Sequence, residues 1–282
     1  MDLTCVVDNA VQRSSPFWGE HGAAFLIQTA GGRVLFDTGQ SGTVLLHNLN
    51  LLEVAAVTID AVALSHAHYD HTGGLPMLLE LLDRGTPLYA NPDLFRERYS
   101  VRDDGLEDIG SGVRAGMPLT REDLTARLSL ALSPEPQQIL PGLWTTGTIT
   151  ERPGVEGRSA HHRMRRDGAL VPDAYLDDMA LVLELDDRVV LLCGCCHAGL
   201  INTVGHVERV FRRPIEAIVG GLHLTSASGR DLRRICTVLA ERSALQRIYP
   251  NHCTGEAALV ALTGELGASV VHPCPAGTVL TF

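Results

Sequence analysis

The chain has 282 residues, 45% of them hydrophobic and 20% charged, with a formal net charge of −10. That length and balance allow a sizeable core without staples, and the acidic surplus argues against a nucleic-acid binder held by bulk electrostatics. Seven cysteines are an odd number without disulfide-scaffold spacing, no basic-then-apolar leader opens the chain, and no apolar run approaches the ~20 residues of a membrane span. A reduced, cytoplasmic protein without membrane contact is expected.

Residues 3–7 are short, apolar and β-branched, a strand that enters a polar turn at Asp8-Asn9. Residues 10–22 read as a loop ending in Glu20-His21-Gly22. Strands at 23–28 and 33–36 flank the hairpin signal Ala30-Gly31-Gly32, and the second ends in Asp37-Thr38-Gly39. A helix is expected over 43–51 and a buried strand over 60–64. An amphipathic helix over 74–82 carries Leu75, Leu78, Leu79 and Leu82 at helical spacing.

The stretch 91–175 reads differently. Gly105, Gly110, Gly112, Gly116, Pro118, Pro134, Pro136 and Pro141 interrupt it, leaving short helical pieces near 92–99 and 120–128 and a strand at 143–149. A loop dense in His161, His162, Arg163, Arg165 and Arg166 follows. Long loops inside compact domains often serve as lids, so this stretch is expected to cover a site. Regular alternation then returns. Strands at 179–185, 189–192, 215–219 and 247–249 are expected, with helices at 200–212, 229–242 and 256–264 and closing strands at 270–271 and 278–280. No internal repeat or clear linker is visible, which favours one domain over 1–282 with the lid inserted at 91–175.

The centre of the chain is Ser65-His66-Ala67-His68-Tyr69-Asp70-His71-Thr72-Gly73-Gly74. Neutral imidazole and carboxylate are ligands that borderline cations such as zinc prefer. Residues two apart at an extended strand end point the same way, so His66 and His68 reach one ion. Asp70 and His71, on the turn beyond, reach a second ion or hold a water. Other strands also stop at metal-competent residues: Asp37, His197, His223 and His252. His197 and His252 read as ligands, and His223 as a wall or substrate-contacting residue. Asp37 is either a turn residue or the partner of a histidine ring. Cys195 is either a zinc-binding thiolate or a small buried hydrophobe, while Cys193 and Cys196 read as packing residues. The basic loop 158–166 is either solvated surface or a steering patch for an anionic substrate.

His66-Ala67-His68-Tyr69-Asp70-His71, preceded by Leu35-Phe36-Asp37-Thr38-Gly39, resembles the metallo-β-lactamase superfamily. Val7-Asp8-Asn9, Glu20-His21-Gly22, Gly194-Cys195-Cys196-His197-Ala198-Gly199, Gly220-Gly221-Leu222-His223-Leu224 and Asn251-His252-Cys253-Thr254-Gly255 extend the likeness to its dihydropterin synthase-like branch. The resemblance implies an α/β fold, an αββα sandwich of two mixed sheets with helices outside and a metal site at one edge. It also implies a further histidine before a late bridging Asp. Here 146–151 holds no histidine, and Cys195 stands near the place of that Asp. His197, Cys195 or Glu151 would complete the first metal site, and β-lactamase activity is not expected.

The expected centre holds one or two zinc ions, or manganese or iron in their place. His66, His68 and His197 would hold the first, and Asp70, His71 and His252 the second. A shared water, its pKa lowered from ~15.7 towards ~7, would be the nucleophile, oriented or deprotonated by Asp70. Asp37 would back a ligand ring, and His223 would act as acid or oxyanion contact. Asp8, Asn9, His21 and the 158–166 loop would line the substrate side. The expected reaction is hydrolysis of an ester, lactone or phosphodiester in a small anionic metabolite. A pterin-condensing transferase and a non-catalytic ligand-binding module are the alternatives.

Overall fold

In the computed structural model, residues 1–101 and 113–282 are described; Gly105, Gly110 and Gly112 of the expected lid lie outside them. Among the described residues the strands form three sheets. The first runs through Val279–Thr281, Asp2–Val7, Ala24–Thr29, Gly32–Phe36, Ala61–Ala63, Pro87–Ala90 and Ser129–Leu132. The second runs through Arg247–Asn251, Ile215–Gly221, Val189–Cys193, Ala180–Glu184, Leu143–Thr145 and Gln138–Leu140. Both mix parallel and antiparallel pairs.

The two sheets face each other. Leu3, Phe25, Val34 and Phe36 of the first meet Leu181, Leu183, Val190 and Leu192 of the second in one buried cluster. Alternate residues point the other way. Leu26, Leu35 and Val62 pack beneath Leu45 and Leu49 of the helix Gly42–Leu51 and beneath the helix Leu75–Leu79. On the far side Val182, Leu191 and Ile218 pack under the helices Leu200–Phe211, Gly229–Ala240 and Glu256–Leu266. The expected αββα sandwich is therefore present. Strands buried on both faces explain why these segments read as continuous apolar runs. No helix among the described residues is long and apolar enough to cross a membrane.

The region 91–175 departs most from its expected elements. The helix expected at 92–99 is a 3-10 turn, Pro92–Phe95, capped by Asn91 and followed by the strand Arg98–Ser100. The basic loop is largely a hairpin, His162–Arg166 with Ala169–Pro172, joined to Arg98–Ser100 in the third sheet. The helical piece expected at 120–128 is regular over Arg121–Thr125, and the strand Ser129–Leu132 that follows extends the first sheet. The helix expected at 74–82 is regular only over Leu75–Leu79.

Arg98 explains why its segment turns inward. Its guanidinium is 1% exposed and contacts Asp173 at 2.9 Å, Asp177 at 2.6 Å and Asp93 at 3.0 Å. Removing one side of a buried ion network leaves the others uncompensated. Arg98→Met should therefore destabilise the protein by about 3–5 kcal/mol in denaturant unfolding. A loss under about 1 kcal/mol, the range of exposed pairs, would contradict this assignment.

Candidate metal centre

Strand register brings the site residues together. Phe36 pairs with Ala63, so Asp37 and Ser65 emerge at one end of the first sheet. In the second, Cys193 pairs with Gly220 and Gly221 with Asn251, so three parallel strands stop nearly level. Cys195, His197, His223, His252 and Cys253 all follow those ends. Asp37, His223 and His252 have left-handed φ of 59°, 46° and 48°. Non-glycine residues in that region carry strain of about 1–3 kcal/mol each, a cost that clusters at functional sites.

Several overlapping donor groups result, two of them holding the expected histidine and aspartate ligands. In the first, His66 Nε2 lies 3.0 Å from His68 Nδ1, and the donor atoms of His66, His68 and His197 all fall within 4.8 Å of one another. His197 Nδ1 is bound to the Gly157 carbonyl at 2.8 Å. His197 Nε2 and His68 Nε2 are buried without a hydrogen-bond partner. Each such orphan costs about 1–3 kcal/mol unless something else satisfies it, and a cation does so. The donors present therefore fit a divalent metal.

In the second group, Asp70 Oδ2 lies 3.3 Å from His252 Nε2 and 3.7 Å from His71 Nε2, and the two imidazole nitrogens are 3.2 Å apart. His21 Nε2 adds a contact to Asp70 at 3.2 Å. Cys195 Sγ, 3.2 Å from His71 Nε2, lies within reach of both His66 and His71. Glu151 instead pairs with Arg209 at 2.6 Å on the surface, away from both groups.

Aspartates hold the loops that carry these donors. Asp37 accepts from the Ser65 amide and hydroxyl, each at 2.7 Å, and contacts His71 Nδ1 at 2.7 Å. Asp8, expected on the substrate side, is buried and anchors the His252 amide at 2.7 Å. Asn9 Oδ1 meets His252 Nδ1 at 2.9 Å. Two further residues escaped the sequence reading. Asp177 accepts from Ala67 N at 2.8 Å, and Asp178 accepts from Ala198 N at 2.7 Å. This consecutive pair therefore fixes the His66–His68 loop relative to His197. Burial raises Asp177 to about 7 and Asp178 to about 6. Tyr175 was also missed: it stacks on His197 with ring centroids 4.2 Å apart and meets His162 Nδ1 through its hydroxyl at 2.9 Å.

The two groups differ electrostatically. Burial, then the neighbouring imidazoles, holds His66, His68 and His197 well below the ordinary imidazole value. Burial also opposes charge on His71, but Asp37 and Asp70 outweigh it and raise that ring to about 9. Asp70 is held well below the carboxylate range, since His71, His21 and His252 overcome the opposing effect of burial. Both groups open on a cavity of about 1210 Å³ whose wall includes Asn9, His21, Arg114, Arg158, His162 and His223.

The fold and this centre define a metallo-β-lactamase-type protein, and the family model of the metallo-beta-lactamase superfamily matches residues 18–163. The chain belongs to that superfamily and is an enzyme of its divalent-metal-binding kind. It is 28% identical over 251 residues to a 7,8-dihydropterin-6-methyl-4-(beta-D-ribofuranosyl)-aminobenzene-5'-phosphate synthase of Methanocaldococcus jannaschii, covering 86% of this chain and 83% of that one. An uncharacterized protein of the same organism is 30% identical over 261 residues, 93% of each chain. A crystal structure of a metal-dependent hydrolase of the beta-lactamase superfamily matches with a TM-score of 0.84 at 26% identity, covering 100% of this chain and 99% of that one.

In the metal-free protein His71 is protonated below about 9, so an entering ion must displace that proton. Affinity at the Asp70–His71–His252 group should rise with pH to about 9 and then level off. Affinity at His66–His68–His197 should stay nearly flat over the same interval, because those rings are already neutral. Calorimetric zinc titrations of chelator-treated protein across neutral and alkaline pH check this; two equally steep profiles would contradict it. Asp37→Asn should weaken metal binding by about 10–100-fold, as loss of a histidine-orienting partner does elsewhere. Unchanged affinity would show that Asp37 serves the turn alone.

Proposed function

We propose that this enzyme is a zinc-dependent hydrolase that opens an ester, lactone or phosphodiester in a small anionic metabolite. One observation carries the reading: two histidine-containing donor groups, sharing the neighbourhood of Cys195 and His71, open onto one cavity. His66, His68 and His197 would hold one ion, and Asp70, His71 and His252 a second. A divalent ion there supplies the charge that acidifies a water and polarises a scissile oxygen.

The chain's own residues do the rest. Asp70, kept ionised and facing the cavity, would orient the attacking water. Asp37 keeps His71 Nδ1 engaged, so that Nε2 faces the donors. Arg114 and Arg158 line the cavity, Arg158 paired with Glu156 at 2.9 Å, and an anionic end of the substrate would dock beside them. Residues 158–162 and Arg114 belong to the expected lid and line the same cavity, which supports reading 1–282 as one domain with an inserted cover. The seven cysteines are all unpaired, which fits a reduced, cytoplasmic setting with a small-molecule partner.

A second reading has its own support. Likeness to the ribofuranosylaminobenzene phosphate synthase over most of both chains favours a condensation in which the same centre activates a leaving group on a pterin. Metal-replete protein assayed against generic phosphodiesters, lactones and thioesters separates the two. Hydrolysis is expected for at least one class and should vanish in His68→Ala together with the ion at His66, His68 and His197. Full zinc occupancy with unchanged turnover in that variant would sink the scheme. An inert panel, with a pterin absorbing in the purified protein, would favour condensation.

A further inference from the structure

Two thiols and an imidazole on the cavity wall stand beside the histidine and aspartate ligands. Cys195 Sγ and Cys253 Sγ lie 3.3 Å apart, and with His223 their donor atoms fall within 4.8 Å of one another. All three residues line the large cavity. His223 Nδ1 is shielded from solvent and has no hydrogen-bond partner.

The three residues come from three different strand ends, after Val189–Cys193, Ile215–Gly221 and Arg247–Asn251. No single turn brings them together; the parallel register does. Gly221 keeps the space open, since a Cβ there would stand 2.8 Å from Cys253 Sγ and would run into the Gly194 carbonyl. If these thiols were small core hydrophobes, burial among apolar neighbours would be expected. Cys253 instead faces an open cavity, half-buried, beside a second thiol and a histidine.

We propose that Cys195, Cys253 and His223 form a sulfur-rich site for a thiophilic divalent cation, with its fourth position open to the cavity. Zinc bonds of ~2.3 Å to sulfur and ~2.0–2.1 Å to nitrogen place tetrahedral donors roughly 3.3–3.8 Å apart, so the thiols need only a small opening to share an ion. Two cysteines, one histidine and an open position make up a donor set known for catalytic zinc. Cys195 also faces His71, so its thiolate would be common to this site and to the histidine–aspartate centre. Both thiols give up their protons as the ion enters. His223 then serves as a ligand rather than as the proton donor that its strand-end position suggests.

The test uses the full chain, stripped by chelator under reducing conditions and titrated with cadmium or cobalt. A thiolate-to-metal charge-transfer band is expected in the near ultraviolet. Cys253→Ser should halve that band and lose one bound ion per chain. His223→Gln should keep the band but require more metal to fill it. His68→Ala, which disables the first histidine group, should leave the band intact, so failure of the hydrolase reading is distinguishable from failure of this one. Cadmium NMR of the unmutated protein decides the matter even where a variant misfolds: one resonance should fall in the range of two-sulfur coordination. Absence of that resonance, or an undiminished band and ion count in Cys253→Ser, would overturn the proposal.

Discussion

The buried carboxylate of Asp37 is the contact on which the site depends. It is 1% exposed, yet it touches the Ser65 amide, the Ser65 hydroxyl and the His71 ring at 2.7 Å each. A buried carboxylate is tolerated only when its oxygens are filled in this way. The same contacts tie the end of Gly32–Phe36 to the turn after Ala61–Ala63, and so fix where the histidine cluster begins. Gly194, from the opposite sheet, leaves room for the pair, since a Cβ there would meet both Ser65 and Asp37. Asp8 and the Asp177–Asp178 pair repeat the device, each holding the backbone beside a donor histidine. Small movements in these aspartates would be felt as misplaced imidazoles, which is why supporting residues of this kind matter as much as ligands.

The fold was largely legible because its strands are buried on both faces. Runs such as 24–29 and 189–193 announce themselves by apolar continuity, and the polar residues after them mark the site edge. The cluster 66–71 was legible for another reason: donor residues packed that densely have few other uses. Glu151 and Asp8 show the limit of that logic. A carboxylate at a plausible position does not reveal its partner, and here one turns to Arg209 while the other turns to the His252 backbone. Asp177 and Asp178 were invisible for the same reason. In the sequence they are two acids before a strand, and only tertiary contacts separate a solvated turn from a clasp. The third sheet was hidden because its strands are short, charged and interrupted. Its inward-facing Arg98 finds its partners up to 79 residues away.

The chemistry follows from charge placed against burial. Three rings in the first group are neutral because low-dielectric surroundings disfavour their charged form. His71 is charged in the metal-free protein because two carboxylates outweigh the same burial. The first group therefore presents neutral imidazoles, whereas His71 of the second carries a proton. The thiols of Cys195 and Cys253 stand 3.3 Å apart beside these nitrogen and oxygen donors, with Cys195 3.2 Å from His71 Nε2.

Anomalous diffraction from crystals of the zinc-loaded protein, recorded on both sides of the zinc edge, would locate each bound ion. Anomalous peaks are expected among His66, His68 and His197 and among Asp70, His71 and His252. Zinc at neither group, with the imidazoles still hydrogen-bonded to one another, would contradict this assignment.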